Sequence, residues 1–267
     1  MLPDVGTTDR CIAPSAPPDH RFDRERVRGV VFDVDGTLYH QAPLRVIMAA
    51  LLLVSAPADP KRLMRRMSVI RAFRRAQEML RRPQADSQER VPGNIDLARR
   101  QVLAAAGLCG EPPAMVAEVA RQWFYRRPLP LLPLVRRRQL IPTLRALAAE
   151  GYRLGVYSDY PARDKLEALG VDAFFPVVAT AGQPDIGAFK PAAVGFRVTA
   201  RRMGISPRHL LYVGDRASVD GAGAACAGMQ VVIIESIFTV GSCRRYTRIR
   251  RFHHLLPLLQ GWRPPAA

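Results

Sequence analysis

The sequence predicts an α/β fold, a doubly wound parallel sheet with a helical subdomain inserted after its first strand. Three observations predict it. From about residue 138 onward, short apolar runs alternate with segments of helical spacing. The first apolar run, at Val30, stands apart from the others, separated by a long stretch with little strand signal. Glycines punctuate most changes of period, as at Gly29, Gly151, Gly170 and Gly204. Such a sheet is covered on both faces, connects by right-handed crossovers, and binds ligands beyond the carboxyl ends of its strands.

Residues 1–26 are rich in Pro, Asp and Arg and read as a flexible lead-in; Met1 to Pro18 has no apolar h-region and does not resemble a secretory signal. The first strand follows Gly29 and ends in Asp33-Val34-Asp35-Gly36-Thr37. Residues 41–133 are expected to form the helical subdomain, with 27–40 and 134–267 as the core around the sheet. Within the insert, Leu63, Met67, Ile70 and Phe73 mark one helix, and Val102 to Leu108 and Met115 to Phe124 two more. The run Val46 to Val54 has the length of a buried helix, and no apolar run reaches the roughly 18 residues of a bilayer span. Trp123, Phe124 and Tyr125 read as core of the insert, with one of them placed to reach its interface with the sheet domain.

After residue 138 the order is a helix around Leu140 to Ala148, a strand Arg153 to Tyr157, a short helix Asp164 to Leu169 and a strand Phe174 to Thr180. A helix Ala192 to Met203, a strand Leu210 to Val213, a small-residue helix Ser218 to Ala227 and a strand Val231 to Ile234 complete the sheet. The tail, basic at Arg244-Arg245 and Arg250-Arg251 and apolar at Leu255-Leu256, reads as a last amphipathic helix carrying His253 and His254 at its surface.

Composition narrows the function. The formal net charge is +17, and the insert contributes +9 of it. The excess is nearly all arginine and is scattered without aromatic interleaving, so no nucleic-acid partner is expected. Cys11, Cys109, Cys226 and Cys243 form no metal-type cluster; reduced thiols, no zinc and a cytoplasmic setting are the expectation.

Candidate chemistry gathers at the strand ends. Asp33 and Asp35 share one face by the period of two, and two such carboxylates repel unless a cation neutralises them or they take different protonation roles. An ordinary Asp-Gly turn is the alternative for this stretch alone. Ser158-Asp159 ends the second strand, Gly214-Asp215 the fourth, and Asp220 begins the next helix. Carboxylates converging on one edge with water suit Mg2+. Lys190, one of only three lysines beside Lys61 and Lys165, stands before Pro191 at the mouth of a helix, where its ammonium can offset negative charge.

These four segments, in this order, resemble the motifs of the haloacid dehalogenase superfamily of phosphohydrolases. The resemblance covers about residues 28 to 240 and implies a Rossmann-like core with a helical cap of the C1 type, as in phosphoglycolate phosphatase-like and β-phosphoglucomutase-like members. It implies Asp33 as nucleophile through an aspartyl-phosphate and Asp35 as general acid and base. Mg2+ would rest on Asp33, the Asp35 backbone carbonyl and Asp215, with Asp220 close by, while Thr37, Ser158 and Lys190 would hold the phosphoryl group. Arg216 and Val219 depart from the residues usual beside the last motif. The expected function is a magnesium-dependent phosphatase acting on a small phosphorylated metabolite. A phosphomutase using the same intermediate is the alternative within enzymes. An arginine-rich protein binding phospholipid or another anionic ligand is the alternative outside them, its Val46 to Val54 run then lying against a membrane instead of forming cap core. Substrate identity and oligomeric state are not written in the sequence.

Overall fold

The computed structural model describes residues 22–54, 59–81, 96–235 and 245–260. Its centre is a six-stranded, all-parallel sheet in the order β3-β2-β1-β4-β5-β6, with β1 Gly29–Phe32, β2 Arg153–Ser158, β3 Val177–Thr180, β4 Leu210–Gly214, β5 Gln230–Ile234 and β6 Thr247–Ile249. Successive side chains of β1 go to opposite faces and meet separate cores. Val30 and Phe32 pack with Leu144, Leu166 and Phe252 on one side; Val31 packs with Tyr157, Phe196 and Tyr212 on the other. The doubly covered, parallel sheet expected from the apolar runs is therefore the observed one.

Between β1 and β2 the chain forms α1 Gln41–Val54, α2 Pro60–Arg81, α3 Leu97–Cys109 and α4 Pro113–Ala120, then a π-helical turn Arg121–Arg126 and the short α5 Leu132–Val135. α2, α3, α4 and the π-helical turn share their own core of Val69, Phe73, Ala105, Val116 and Trp123, so the insert is a cap with a core of its own. Tyr39 and Arg136 form an antiparallel bridge where the chain leaves and rejoins the sheet domain. The remaining helices are α6 Leu140–Ala149, α7 Arg163–Leu169, α8 Ala193–Met203, α9 Ala222–Cys226 and α10 Leu255–Leu259.

Four expectations need correcting. The third strand begins at Val177, because Asp172–Phe174 turns as a 3-10 helix under it. The tail is not one helix: Thr247–Ile249 adds β6 at the sheet edge, and only Leu255–Leu259 is α-helical. A three-residue edge strand holding one buried side chain, Ile249, carries no apolar run for sequence to detect. Of α1, only Leu44 and Leu52 are buried, so most of the Val46 to Val54 run is not cap core. Finally, Cys226 is disulfide-bonded while Cys109 is free, against the expectation of reduced thiols; pairing is a tertiary outcome that spacing does not announce.

The lead-in expected over residues 1–26 falls mainly outside the described residues; its described end is a one-turn helix, Arg24–Arg26, anchored where the Asp23 amide donates to Gln230 Oε1 at 2.8 Å. Among the described residues no single helix is long and apolar enough to cross a membrane.

Candidate active site

β1 and β4 are neighbours at the point where strand order reverses, with Phe32 in register with Val213, and both end in acidic turns. The Asp33 amide continues the ladder to Val213 O at 2.9 Å, which fixes this carboxylate to the sheet edge. Gly36 turns the chain back at φ 97°, and a Cβ there would lie 2.2 Å from Asp215 Oδ2. A side chain at Gly214 would similarly strike the Asp220 Cβ, at 2.4 Å. Both glycines exist here because backbone and carboxylates crowd together.

Asp33, Asp215 and Asp220 form one cluster, each offering an oxygen within 4.8 Å of the others, an arrangement that can hold a metal ion. Oxygen-only donors in this number suit a hard divalent cation. Their electrostatics favour a positive charge beside them. Burial raises Asp33 to about 7, with Asp220 and Asp35 adding to the rise and Lys190 opposing it. Burial likewise lifts Asp215 well above the carboxylate range, again helped by Asp220 and Asp33.

Lys190 enters from the loop before α8. Its Nζ donates to Asp33 Oδ1 at 2.6 Å, Tyr212 Oη at 2.8 Å and Asp220 Oδ1 at 2.9 Å, using all three hydrogens of the ammonium. Burial alone would lower its pKa, but Asp220 and Asp33 together hold it well above the ordinary value. The second acidic residue of the first motif is treated differently. Asp35 receives Lys165 Nζ on both oxygens, at 2.6 and 2.8 Å, and the Tyr39 hydroxyl as well. Burial pushes Asp35 upward, yet Lys165 and Tyr39 outweigh it and leave this carboxyl below its usual value.

The sequence-derived candidates thus converge, with two qualifications. Thr37 and Ser158 are fully buried: Thr37 Oγ1 donates to Asp33 Oδ2 at 3.2 Å and Ser158 Oγ accepts the Tyr160 amide at 3.3 Å, so each braces the loops behind the cavity wall. Asp35 is outside the three-carboxylate cluster because its side chain belongs to Lys165.

Three residues of the site were missed. Lys165, on α7, carried the same signal as Lys190, a lysine in a chain that otherwise uses arginine. Arg137 is buried, donates to Gly36 O at 2.7 Å and is pulled down to about 10 by burial despite Asp215; nothing distinguishes it in sequence from Arg136 or Arg138. Tyr212 lies inside a strand whose apolar neighbours conceal its polar task.

Above these residues a cavity of about 1040 Å³ opens between sheet domain and cap, lined from the cap side by Arg45, Met48, Arg74, Gln77, Arg81, Trp123 and Phe124. Asp159, at the sheet edge, ties the two halves: it accepts from Arg81, from Gln77 Nε2 at 3.3 Å and from the Lys190 amide at 2.9 Å. The π-helical turn brings Tyr125 within electrostatic reach of Asp35, as expected of one aromatic of that trio.

The family model for haloacid dehalogenase-like hydrolases matches residues 27–228. The chain belongs to the haloacid dehalogenase-like hydrolase family. A glyceraldehyde 3-phosphate phosphatase of Methanopyrus kandleri is 30% identical over 220 residues, covering 78% of this chain and 84% of its relative. A phosphoglycolate phosphatase of Escherichia coli is 31% identical over 215 residues, 75% and 79% of the two chains. Both of these relatives of the haloacid dehalogenase-like hydrolase are phosphatases by name. Among solved structures, a 2-haloacid dehalogenase of Pseudomonas syringae shares the fold at a TM-score of 0.60 and 24% identity, over 87% of this chain and 98% of that one.

Proposed function

We propose that the protein is a magnesium-dependent phosphoric monoester hydrolase that acts on a small phosphorylated metabolite through an aspartyl-phosphate at Asp33. The observation that carries the reading is Asp33 itself: a sheet-edge carboxylate in the wall of the cavity, held by Lys190 and grouped with Asp215 and Asp220. Attack by a carboxylate on a phosphoryl group requires positioning and cancelled charge, and Lys190 supplies fixed positive charge at the attacking atom.

An Asp33 oxygen attacks phosphorus, and the bond to the leaving alcohol oxygen breaks. The Asp35–Lys165 pair yields the proton that this oxygen needs; in the second half a water returns a proton to the pair, attacks phosphorus and releases phosphate, restoring Asp33. Asp33, Asp215 and Asp220 would hold Mg2+, with the Asp35 backbone carbonyl contributing as the family resemblance implies. When bound, the ion supplies charge neutralisation for the transferring phosphoryl oxygens. Thr37 orients Asp33, and Ser158 steadies the second loop.

The cap supplies selection. Arg45 and Arg74 face the cavity with no carboxylate in ion-pair distance among the described residues, and they disfavour one another electrostatically. This favours substrates bearing an anionic group besides the phosphate. The relatives' names suggest a direct comparison, phosphoglycolate against glyceraldehyde 3-phosphate, with the former expected to react with higher kcat/KM.

The test is hydrolysis of p-nitrophenyl phosphate and of a panel of phosphorylated metabolites, with and without magnesium, beside Asp33→Asn. Magnesium-dependent turnover absent from the variant supports the reading. Folded, magnesium-loaded protein that hydrolyses nothing in the panel, or an Asp33→Asn variant as active as the parent, rejects it.

A further inference from the structure

α1 has two faces with opposite surroundings. Gln41, Leu44, Arg45 and Met48 line the catalytic cavity, and Leu52, one turn further along the same stripe, enters the cap core. The other stripe points outward: Val46 is 69% exposed, Leu53 61% and Val54 76%, with Ala50 exposed between them. Branched side chains spaced seven and eight residues apart make one continuous apolar strip on a helix. A strip of this kind, on a cap whose described helices share a core of their own, marks a contact surface.

The charge of the helix that follows the strip selects the occupant. α2 begins at Pro60, a few residues past Val54, and exposes Lys61, Arg62, Arg71 and Arg75, none of them in ion-pair distance of a carboxylate among the described residues. From Gln41 to Arg81 the acidic residues are Asp59 and Glu78 alone, in a protein of net charge +17. A second copy docked here about a two-fold axis would bring this basic surface against itself. An anionic bilayer answers both features at once, since apolar side chains enter the boundary between headgroups and acyl chains while arginines meet phosphates.

We propose that the outer face of α1 and the basic residues of α2 seat the cap on an anionic lipid surface. The contact is interfacial, shallow and reversible, and it leaves the cavity face of α1 free. It does not depend on the assignment of the chemistry, because the cavity residues and the strip share no side chain.

The experiment is co-sedimentation of the full chain with phosphatidylcholine vesicles, plain or with about one quarter phosphatidylglycerol, at low and high salt. Alongside run Val46→Glu/Leu53→Glu/Val54→Glu and Arg62→Gln/Arg71→Gln/Arg75→Gln, each checked for folding by circular dichroism. The parent is expected to pellet with the anionic vesicles only, and less at high salt. Each triple variant, still folded, is expected to bind on the order of tenfold more weakly. No pelleting of the parent with anionic vesicles overturns the proposal, as does pelleting that the glutamate variant retains. A dimer in sedimentation velocity that the glutamate variant dissolves, without vesicle binding by the parent, overturns it in favour of a second copy.

Discussion

At Asp35 the site departs from a simple pair of equivalent carboxylates. Asp33 and Asp35 are two residues apart on one strand end, yet burial raises the first to about 7 while Lys165 and Tyr39 hold the second below its usual value. Divergent environments of this kind assign divergent roles. Lys165→Met is expected to lower kcat by about 100-fold, since general acid–base catalysis is worth 10²–10⁴, with a smaller change in KM; an unchanged kcat in stopped assays would remove Lys165 from the proton path. A second prediction follows from Asp33. Its folded pKa lies above the unfolded value of 3.8, so its protonated form stabilises the fold, fully at low pH, and that contribution is lost as pH rises through about 7. In chelator, thermal scans should show Tm falling across that window, with a shallower fall in Asp33→Asn. Magnesium requires ionised ligands, so its Tm increment should be larger at pH 8 than at pH 5.

Between elements, the decisive contact is the one from α2 to the end of β2. Arg81 and Asp159 are each nearly buried and ion-paired, and Asp159 also receives the Lys190 amide, so one carboxylate links cap, sheet edge and the lysine loop. Breaking a buried pair by removing one partner costs about 3–5 kcal/mol. Arg81→Ala is expected to raise KM by about tenfold or more and lower Tm, and removing Asp159 as well should cost less than the sum of the two single changes. This contact was illegible in the sequence. Asp159 could be placed at a strand end and Arg81 on a helix, but which helix of an insert leans over which strand is decided by packing between domains. What was legible rests on period and punctuation: β1, β2, β4 and β5 are apolar runs that the sheet buries on both faces, and Asp33, Lys190, Asp215 and Asp220 meet because parallel strands deliver their ends to one edge. β6 and the exposed stripe of α1 were not legible, because three residues with one buried side chain and an apolar run without a partner lack any pattern separating them from their opposites.

For the whole molecule the question is whether +17 is a property of the function or only of the composition. Scattered arginine alone predicts a solvated surface, but Arg45, Arg74, Arg81, Arg137, Arg216, Lys165 and Lys190 all line the catalytic cavity, where low-dielectric walls concentrate their field. Asp33, Asp35, Asp159, Asp215 and Asp220, with Glu78 from the cap, offset part of it, leaving Arg45 and Arg74 on the cap side without a carboxylate partner among the described residues. A phosphorylated acid should therefore be drawn in by charge more strongly than a neutral-tailed phosphate. The Debye length shrinks from about 30 Å at 0.01 M salt to about 8 Å at 0.15 M, which is less than the span of a cavity this size. Over that range kcat/KM for a phosphate monoester carrying a carboxylate should fall several-fold while kcat stays level, and the fall for p-nitrophenyl phosphate should be smaller. Arg74→Gln should bring the two salt dependences together. If both substrates respond alike in the parent protein, the cap arginines contribute no selective field, and the surface charge reflects composition alone.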